Sequence, residues 1–109
     1  MFLVRNKSNN NLYAMKVLKK DYIIKKKQVE HTKTERSVLG YVHHPNIVGL
    51  HMAFQTADKL FFVLDYCSAG ELFFHLGQVG IFPEDRAGFY AAQITLALKC
   101  IHQKGIIFR

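Results

Sequence analysis

Hydrophobic and polar residues alternate in short blocks at the start of the chain, a pattern typical of β-strands joined by a turn. Residues 2–4 are apolar, residues 6–11 contain four asparagines, and residues 12–18 are again mostly apolar. Apolar runs of this length next to turn residues predict strands, and asparagine tolerates the left-handed conformations of tight turns. We therefore predict a β-hairpin whose second strand carries Lys16 within an apolar run.

The next segment, residues 21–39, has the spacing of a helix. Its apolar positions form an imperfect stripe, which indicates two helices divided near Gln28. Asp21 is a suitable N-cap for the first helix, and Gly40 is predicted to end the second. Glu35 lies four residues before Leu39, so the two side chains share one face of the second helix.

Two further strands are predicted in the middle of the chain. Residues 43–46 contain His-Pro-Asn and indicate a turn, after which residues 47–54 alternate loosely as a strand. Residues 55–58 form a tight turn, and residues 60–64 are an unbroken apolar run, as in a strand buried on both faces. Together with the hairpin, these strands predict an antiparallel sheet with a helix inserted between its strands.

The chain then changes character. Residues 65–70 read Asp-Tyr-Cys-Ser-Ala-Gly, a polar stretch that is typical of a hinge between subdomains. Residues 71–76 are predicted to form a short helix, which Gly77 and Gly80 would interrupt.

A long helix is predicted to follow, starting at Pro83-Glu84-Asp85. It runs to about Lys104, where Gly105 fits the C-terminal cap, and residues 106–108 would begin another strand. Its apolar residues recur at steps of three and four and predict one buried stripe: Ala87, Tyr90, Ala91, Ile94, Ala97, Leu98 and Ile101.

Composition suits a globular protein with an anionic partner. Half of the residues are hydrophobic, which argues against disorder. The net charge of +7 lies entirely in residues 1–54, which hold ten Lys/Arg and three Asp/Glu, because residues 55–109 hold five of each. A basic half attracts nucleotides, phosphates, acidic membranes or nucleic acids, although Lys25–Lys27 alone would suit a solvated helix face. We find no nucleic-acid motif, and the stripe in residues 21–39 is too broken for a membrane anchor.

No apolar stretch approaches the length of a transmembrane helix, and the start of the chain does not resemble a secretory signal. Cys67 and Cys100 lack the CxxC spacing of metal or redox sites, so we expect reduced thiols and a cytoplasmic or nuclear location. His43 and His44 could bind a metal, but no third ligand has suitable spacing, so no metal site is predicted.

Lys16 is the candidate for chemistry. If its strand is covered on both faces, the ammonium group needs an anionic partner or ligand; otherwise Lys16 lies on an exposed face. Glu35 could supply the carboxylate, or it could be an exposed helix residue that pairs with Lys33 or Arg36.

Taken together, these residues resemble a known family, the eukaryotic protein kinase domain. Tyr13-Ala-Met-Lys16 is similar to the Val-Ala-Ile-Lys element of its third strand, and Glu35 lies 19 residues later (35 − 16), as the family's helix glutamate does. Residues 55–66 resemble its fourth and fifth strands, and residues 70–73 the start of its next helix. His102-Gln-Lys-Gly-Ile-Ile-Phe-Arg109 resembles the approach to its catalytic loop.

The resemblance is strongest to the basophilic Ser/Thr branch of AGC type, which includes the serum/glucocorticoid-regulated and ribosomal-protein kinases. It implies an α+β fold of the protein-kinase type, truncated at both ends. Residues 1–64 would form the N-lobe, an antiparallel sheet with its inserted helix but without the first strand and the Gly-rich loop. Residues 65–70 would form the hinge, and residues 71–109 the first helices of the C-lobe.

The resemblance also implies an ATP site. Lys16 would hold the α- and β-phosphates and Glu35 would hold Lys16. The remaining site residues line the adenine or ribose: Ala14 and the gatekeeper-like Leu64 as apolar walls, Asp65 and Cys67 through their backbone, and Glu71 at the ribose or at a basic residue of the substrate.

The departures from the family pattern limit the activity expected of these residues. The catalytic-loop Asp, the metal-binding Asn and the Asp-Phe-Gly motif are missing, and Phe108 replaces the usual Tyr or His. We therefore assign no catalytic or metal-binding residue and expect no kinase activity from the 109 residues alone. Mg²⁺ would act only in a full-length form, which would transfer the ATP γ-phosphoryl to protein hydroxyls near basic residues.

An alternative is a non-catalytic, kinase-derived module that binds nucleotide or a partner's tail. In this branch of the family a pocket receives a C-terminal hydrophobic motif, and the resemblance assigns to that pocket Lys20, Ile24, Gln55 and Leu60.

Overall fold

The computed structural model describes residues 1–108, which form four strands and four helices. The strands are β1 (Phe2–Arg5), β2 (Leu12–Lys19), β3 (Leu50–Gln55) and β4 (Lys59–Asp65), and the helices are α1 (Lys20–Lys25), α2 (Val29–Tyr41), α3 (Leu72–Val79) and α4 (Glu84–Gln103). All four predicted strands of the first half and the predicted division of the first helical segment are present.

The four strands form one antiparallel sheet in the order β1-β2-β4-β3. β4 lies between β2 and β3, so both of its edges are hydrogen-bonded. Lys16 is opposite Phe62 and Ala14 is opposite Leu64 across the β2–β4 pair. A bulge between Leu50 and Met52 interrupts the β3–β4 register.

The core of the first half is small and centres on β4. Phe62, Val63 and Leu64 are buried, together with Ile23 of α1 and Val42 after α2. Side chains alternate between the two faces of a strand, so the burial of three consecutive residues shows that β4 is buried on both faces there, as the apolar run 60–64 predicts.

The helix ends in the first half differ from two predictions. Lys19, not Asp21, occupies the N-cap of α1, and Asp21 lies in the first turn, where its charge still suits the positive helix end. Gly40 does not end α2, which continues to Tyr41. The helix stops where Val42 turns to an extended conformation and buries its side chain, so packing and not glycine sets the end.

Two glycine predictions in the second half have opposite outcomes. Gly77 was expected to break the short helix, but α3 runs through it, because an exposed glycine costs a helix only about 1 kcal/mol. Gly80 does end α3, with a φ of +79° that favours glycine. Gly105 follows α4 as predicted, and its N–H donates to the carbonyl of His102.

The predicted buried stripe of α4 is wrong. No residue of this helix is buried; Tyr90, Ala97 and Ile101 are half-buried, whereas Ile94 and Leu98 are exposed. A stripe is buried only where another element covers it, and the short α3 is the only other helix of this half in residues 1–108. Residues 106–108 form no strand, contrary to prediction, and Arg109 lies outside the described residues.

The chain divides into two compact units. The first contains residues 1–43 and 48–66 with the sheet, α1 and α2; the second contains residues 44–47 and the chain from Cys67 onward with α3 and α4. In the second unit, Asn46 donates a 3.1 Å hydrogen bond from Nδ2 to Oε1 of Gln93, which fastens the 44–47 turn to α4. The assignment of residues 65–70 as a hinge stays a prediction.

Candidate nucleotide-binding site

Lys16 and Glu35 form an ion pair inside the first unit. Lys16 Nζ lies 2.8 Å from Glu35 Oε1, joining β2 to α2. Lys33 was one of the alternative partners of Glu35, but its Nζ lies 3.8 Å from Oε1 of Glu30 instead. The structure therefore places Lys16 against the carboxylate 19 residues away and not alone on an exposed face.

The ion pair leaves part of the Lys16 ammonium exposed. The Lys16 and Glu35 side chains retain 33% and 37% of their exposure, and an ammonium group has three N–H donors. The hydrogen bond to Glu35 uses one of these three donors. An ion pair this exposed adds at most about 1 kcal/mol to the free energy of unfolding. Its main effect is to fix the position of the Lys16 ammonium group.

Two apolar candidates stand beside Lys16 on the sheet. Ala14 precedes Lys16 by two residues and so shares its face of β2, and Leu64, directly opposite Ala14 on β4, shares it too. Leu64 is buried and Ala14 is half-buried. The sheet thus presents two small apolar surfaces next to the lysine, as a wall for a flat ring requires.

Asp65 ends β4 in a cluster that the sequence did not predict, here called the Asp65 cluster: Gly49, His51 and Asp65. The N–H of Gly49 donates to Asp65 Oδ2 at 2.7 Å, and His51 Nε2 donates to Asp65 Oδ1 at 2.5 Å. Because an ionised carboxylate only accepts hydrogen bonds, Nε2 of His51 carries the proton. The Tyr13 ring packs against His51 at 4.7 Å between centroids.

These bonds act on the charge of Asp65. The hydrogen bond from His51 and then that from the Gly49 N–H lower the pKa of Asp65 below its ordinary value of 3.8. A carboxyl group with a lowered pKa in the folded state stabilises the fold above that ordinary value. The contribution is lost as the pH falls through the lowered value.

Cys67 and Glu71 belong to the second unit. Cys67 has an exposed, free thiol, and its carbonyl accepts from the N–H of Gly70 at 3.1 Å. Glu71 is the N-cap of α3. His75 of α3 donates a hydrogen bond from Nε2 to the Ala69 carbonyl at 2.5 Å, which links α3 to the loop that precedes it. The nucleotide-binding roles of Cys67 and Glu71 stay predictions.

The first unit contains a cavity of about 250 Å³ between α2 and the end of the sheet. Of the four residues predicted to bind a hydrophobic tail, Gln55 and Leu60 line it. The other two lie elsewhere: Lys20 donates from Nζ to the Thr56 carbonyl, and Ile24 is an exposed residue of α1. The remaining lining comes from Thr32, Lys33, Arg36, Ala53, Phe54 and Phe62.

Residues 1–108 contain neither a candidate metal site nor a candidate membrane-spanning helix. No group of three His, Cys, Asp or Glu side chains could hold a metal ion. None of the described helices is long and apolar enough to cross a membrane.

The chain is similar to protein kinases over its whole length. A family model described as the protein kinase domain matches residues 1–109. The chain is 52% identical over 106 residues to protein kinase 2 of Dictyostelium discoideum. This alignment covers 97% of the chain and 22% of the Dictyostelium protein. It is 52% identical over 110 residues to the serine/threonine-protein kinase Sgk1 of Gallus gallus, covering 100% of the chain and 26% of the relative. The RAC-beta serine/threonine-protein kinase B of Xenopus laevis is 49% identical over 109 residues, with coverages of 100% and 22%. The chain spans about a quarter of the length of these curated relatives.

Proposed function

The chain belongs to the protein kinase domain family, and from that premise we propose that it is the nucleotide-holding part of an ATP-dependent serine/threonine kinase. The observation that carries the proposal is the 2.8 Å contact between Lys16 Nζ and Glu35 Oε1. Protein kinases use a strand lysine, held by a helix glutamate, on the phosphates of ATP. Similarity to Sgk1 and to RAC kinases fits the AGC-type branch.

The residues divide the work as follows. Lys16 binds the α- and β-phosphates, and Glu35 fixes the ammonium so that it does not fold back onto the protein. Ala14 and Leu64 pack against the adenine. The backbone of Asp65 and Cys67 hydrogen-bonds the base, and Glu71 binds the ribose or a basic residue of the substrate.

The described residues fit ATP but not its magnesium ion. Lys16 keeps free N–H donors beside an apolar wall, which suits a phosphate and a base. Residues 1–108 contain no three-ligand cluster for a metal ion, so no step through magnesium is assigned to them. We propose that residues 1–109 alone bind nucleotide without transferring its phosphoryl group, because the residues assigned to proton transfer and metal binding are not in this sequence.

A transfer assay with ATP labelled in the γ-phosphoryl group tests this proposal. The natural protein that carries the chain is expected to label a serine peptide with arginines near the serine, and a matched peptide with glutamates in their place much more weakly. The 109-residue chain is expected to label neither. No labelling of either peptide by the natural protein, or labelling by the 109 residues alone, would contradict the proposal.

The proposed location is the cytoplasm or the nucleus. Both cysteines of the chain, Cys67 and Cys100, are free, which suits a reducing compartment.

The cavity of the first unit favours a second candidate function, the binding of a hydrophobic tail. Leu60, Phe54 and Phe62 provide apolar surface, and Lys33 and Arg36 of α2 add positive charge at the same cavity. Its volume of about 250 Å³ suits one or two aromatic side chains. The occupant proposed is an extended peptide with two aromatic residues and an acidic flank.

A fluorescent peptide of that kind is expected to bind the protein, and Leu60→Glu is expected to weaken binding about tenfold or more, because it places a charge on apolar surface. Arg36→Ala, an exposed change, should weaken it about threefold by removing charge complementarity. Fluorescence anisotropy measures both. Leu96→Glu on the exposed face of α4 is the matched control. Equal affinity of the Leu60 variant and this control would refute tail binding at the cavity.

A further inference from the structure

The Asp65 cluster joins the end of β4 to Gly49 and to His51 of β3. Under the proposed function, the main chain of Asp65 hydrogen-bonds the adenine base. We propose that the Asp65 carboxylate and the His51 imidazole are positioning residues, which set the main chain at Asp65 for its hydrogen bond to the adenine amino group. The inference rests on the proposed function, and it assigns a role to two side chains that touch no nucleotide themselves.

Three hydrogen bonds hold Asp65. Gly49 and Asp65 bond in both directions: the Gly49 N–H donates to Oδ2 at 2.7 Å, and the Asp65 N–H donates to the Gly49 carbonyl at 3.0 Å. His51 adds the bond to Oδ1. Together they restrict φ and χ1 of Asp65, and none of them uses the Asp65 carbonyl. That carbonyl is the group that would accept from the amino group of the base.

The bulge in β3 explains how His51 reaches Asp65. Leu50 is opposite Leu64 and Met52 is opposite Val63, so His51 has no partner in the ladder. An unpaired bulge residue can aim its side chain away from the regular alternation. Tyr13, which is opposite Asp65 on β2, packs its ring on His51 and limits how far the imidazole can turn.

Gly49 is fitted to the carboxylate. A Cβ atom at this position would stand 3.1 Å from Asp65 Oδ2 and 3.7 Å from Cγ. An alanine would therefore press on the carboxylate and shift it by a few tenths of an ångström. This gives a way to disturb the geometry of Asp65 without removing a charge or a hydrogen-bonding side chain.

The charge at the cluster is present under ordinary conditions. The pKa of Asp65 lies below its usual value, so the carboxylate accepts its bonds at neutral pH. The titratable groups that face it are His51 of β3 and Tyr13 of β2.

Two nucleotides separate positioning from general stability. ATP has the 6-amino group of adenine, whereas purine riboside triphosphate lacks it and is otherwise the same. Their affinities are measured by calorimetry on the natural protein that carries this chain. His51→Ala is expected to lower the affinity for ATP about three- to tenfold, as expected from one misaligned hydrogen bond. The affinity for purine riboside triphosphate should not change. Gly49→Ala should show the same selective loss.

Matched variants complete the test. His43→Ala removes an exposed histidine of the same unit and should change neither affinity. His51→Gln keeps an N–H donor and should restore part of the ATP affinity. Equal loss for both nucleotides, or no loss for either, would overturn the inference while ATP binding by the wild-type protein leaves the proposed function intact. If the wild-type protein binds neither nucleotide, the proposed function and this inference fall together.

Discussion

Replacing Lys16 with alanine is expected to lower phosphoryl transfer by the natural protein about 10²- to 10³-fold, the usual cost of removing one fixed charge from such a site. The reason is geometric. Glu35 holds the Lys16 ammonium at 2.8 Å, so the group is in place before the nucleotide binds and its loss cannot be repaired by a mobile side chain. Steady-state rates with saturating ATP and a fixed peptide measure the effect.

Lys19→Ala is the matched control for this change. Lys19 is the exposed last residue of the same strand, so its removal deletes an equal charge three residues away. The control should keep nearly the full rate. A Lys16→Ala protein that is folded and as active as the Lys19 variant would show that Lys16 does not hold the phosphates.

Replacing Phe62 with alanine is expected to be the most damaging change to the fold, at about 3–5 kcal/mol. Phe62 is 4% exposed at the centre of β4 and lies opposite Lys16. A small domain has only about 5–15 kcal/mol of stability in total, so this variant should lose a large share of the free energy of unfolding of the first unit. Amide hydrogen exchange of β4 measures this locally, without interference from the second unit.

Phe73→Ala gives the comparison for Phe62. Phe73 lies in α3 and is 81% exposed, so its loss should change stability by no more than about 0.5 kcal/mol. Similar exchange rates of the β4 amides in the two variants would contradict the account of the core.

Periodicity and spacing sufficed for much of the first unit. The apolar run at residues 60–64 identified the central strand because burial on both faces leaves no polar alternation to confuse it. Lys16 and Glu35 are harder to pair from sequence: their residues alone leave two alternatives open, and only the resemblance to protein kinases favours the pairing that the structure shows at 2.8 Å.

Features that depend on tertiary contacts could not be predicted. His51 reaches Asp65 through a bulge, and a bulge has no signature in a loosely alternating strand. The stripe of α4 looked buried because periodicity reports an amphipathic face, not the element that covers it. Gly40 and Gly77 lie within helices because a single glycine costs little when neighbouring turns hold.

The proposed binding of ATP phosphates by Lys16 can be tested by comparing nucleotide ligands with and without phosphate groups. Calorimetry of adenosine and of ADP, on the wild-type natural protein and on Lys16→Ala, separates the base from the phosphates. We predict that Lys16→Ala lowers the affinity for ADP about 10- to 100-fold, as expected from the loss of one or two charge-assisted hydrogen bonds, and leaves the affinity for adenosine unchanged. Equal ADP affinity of the two proteins, with adenosine still bound, would contradict it.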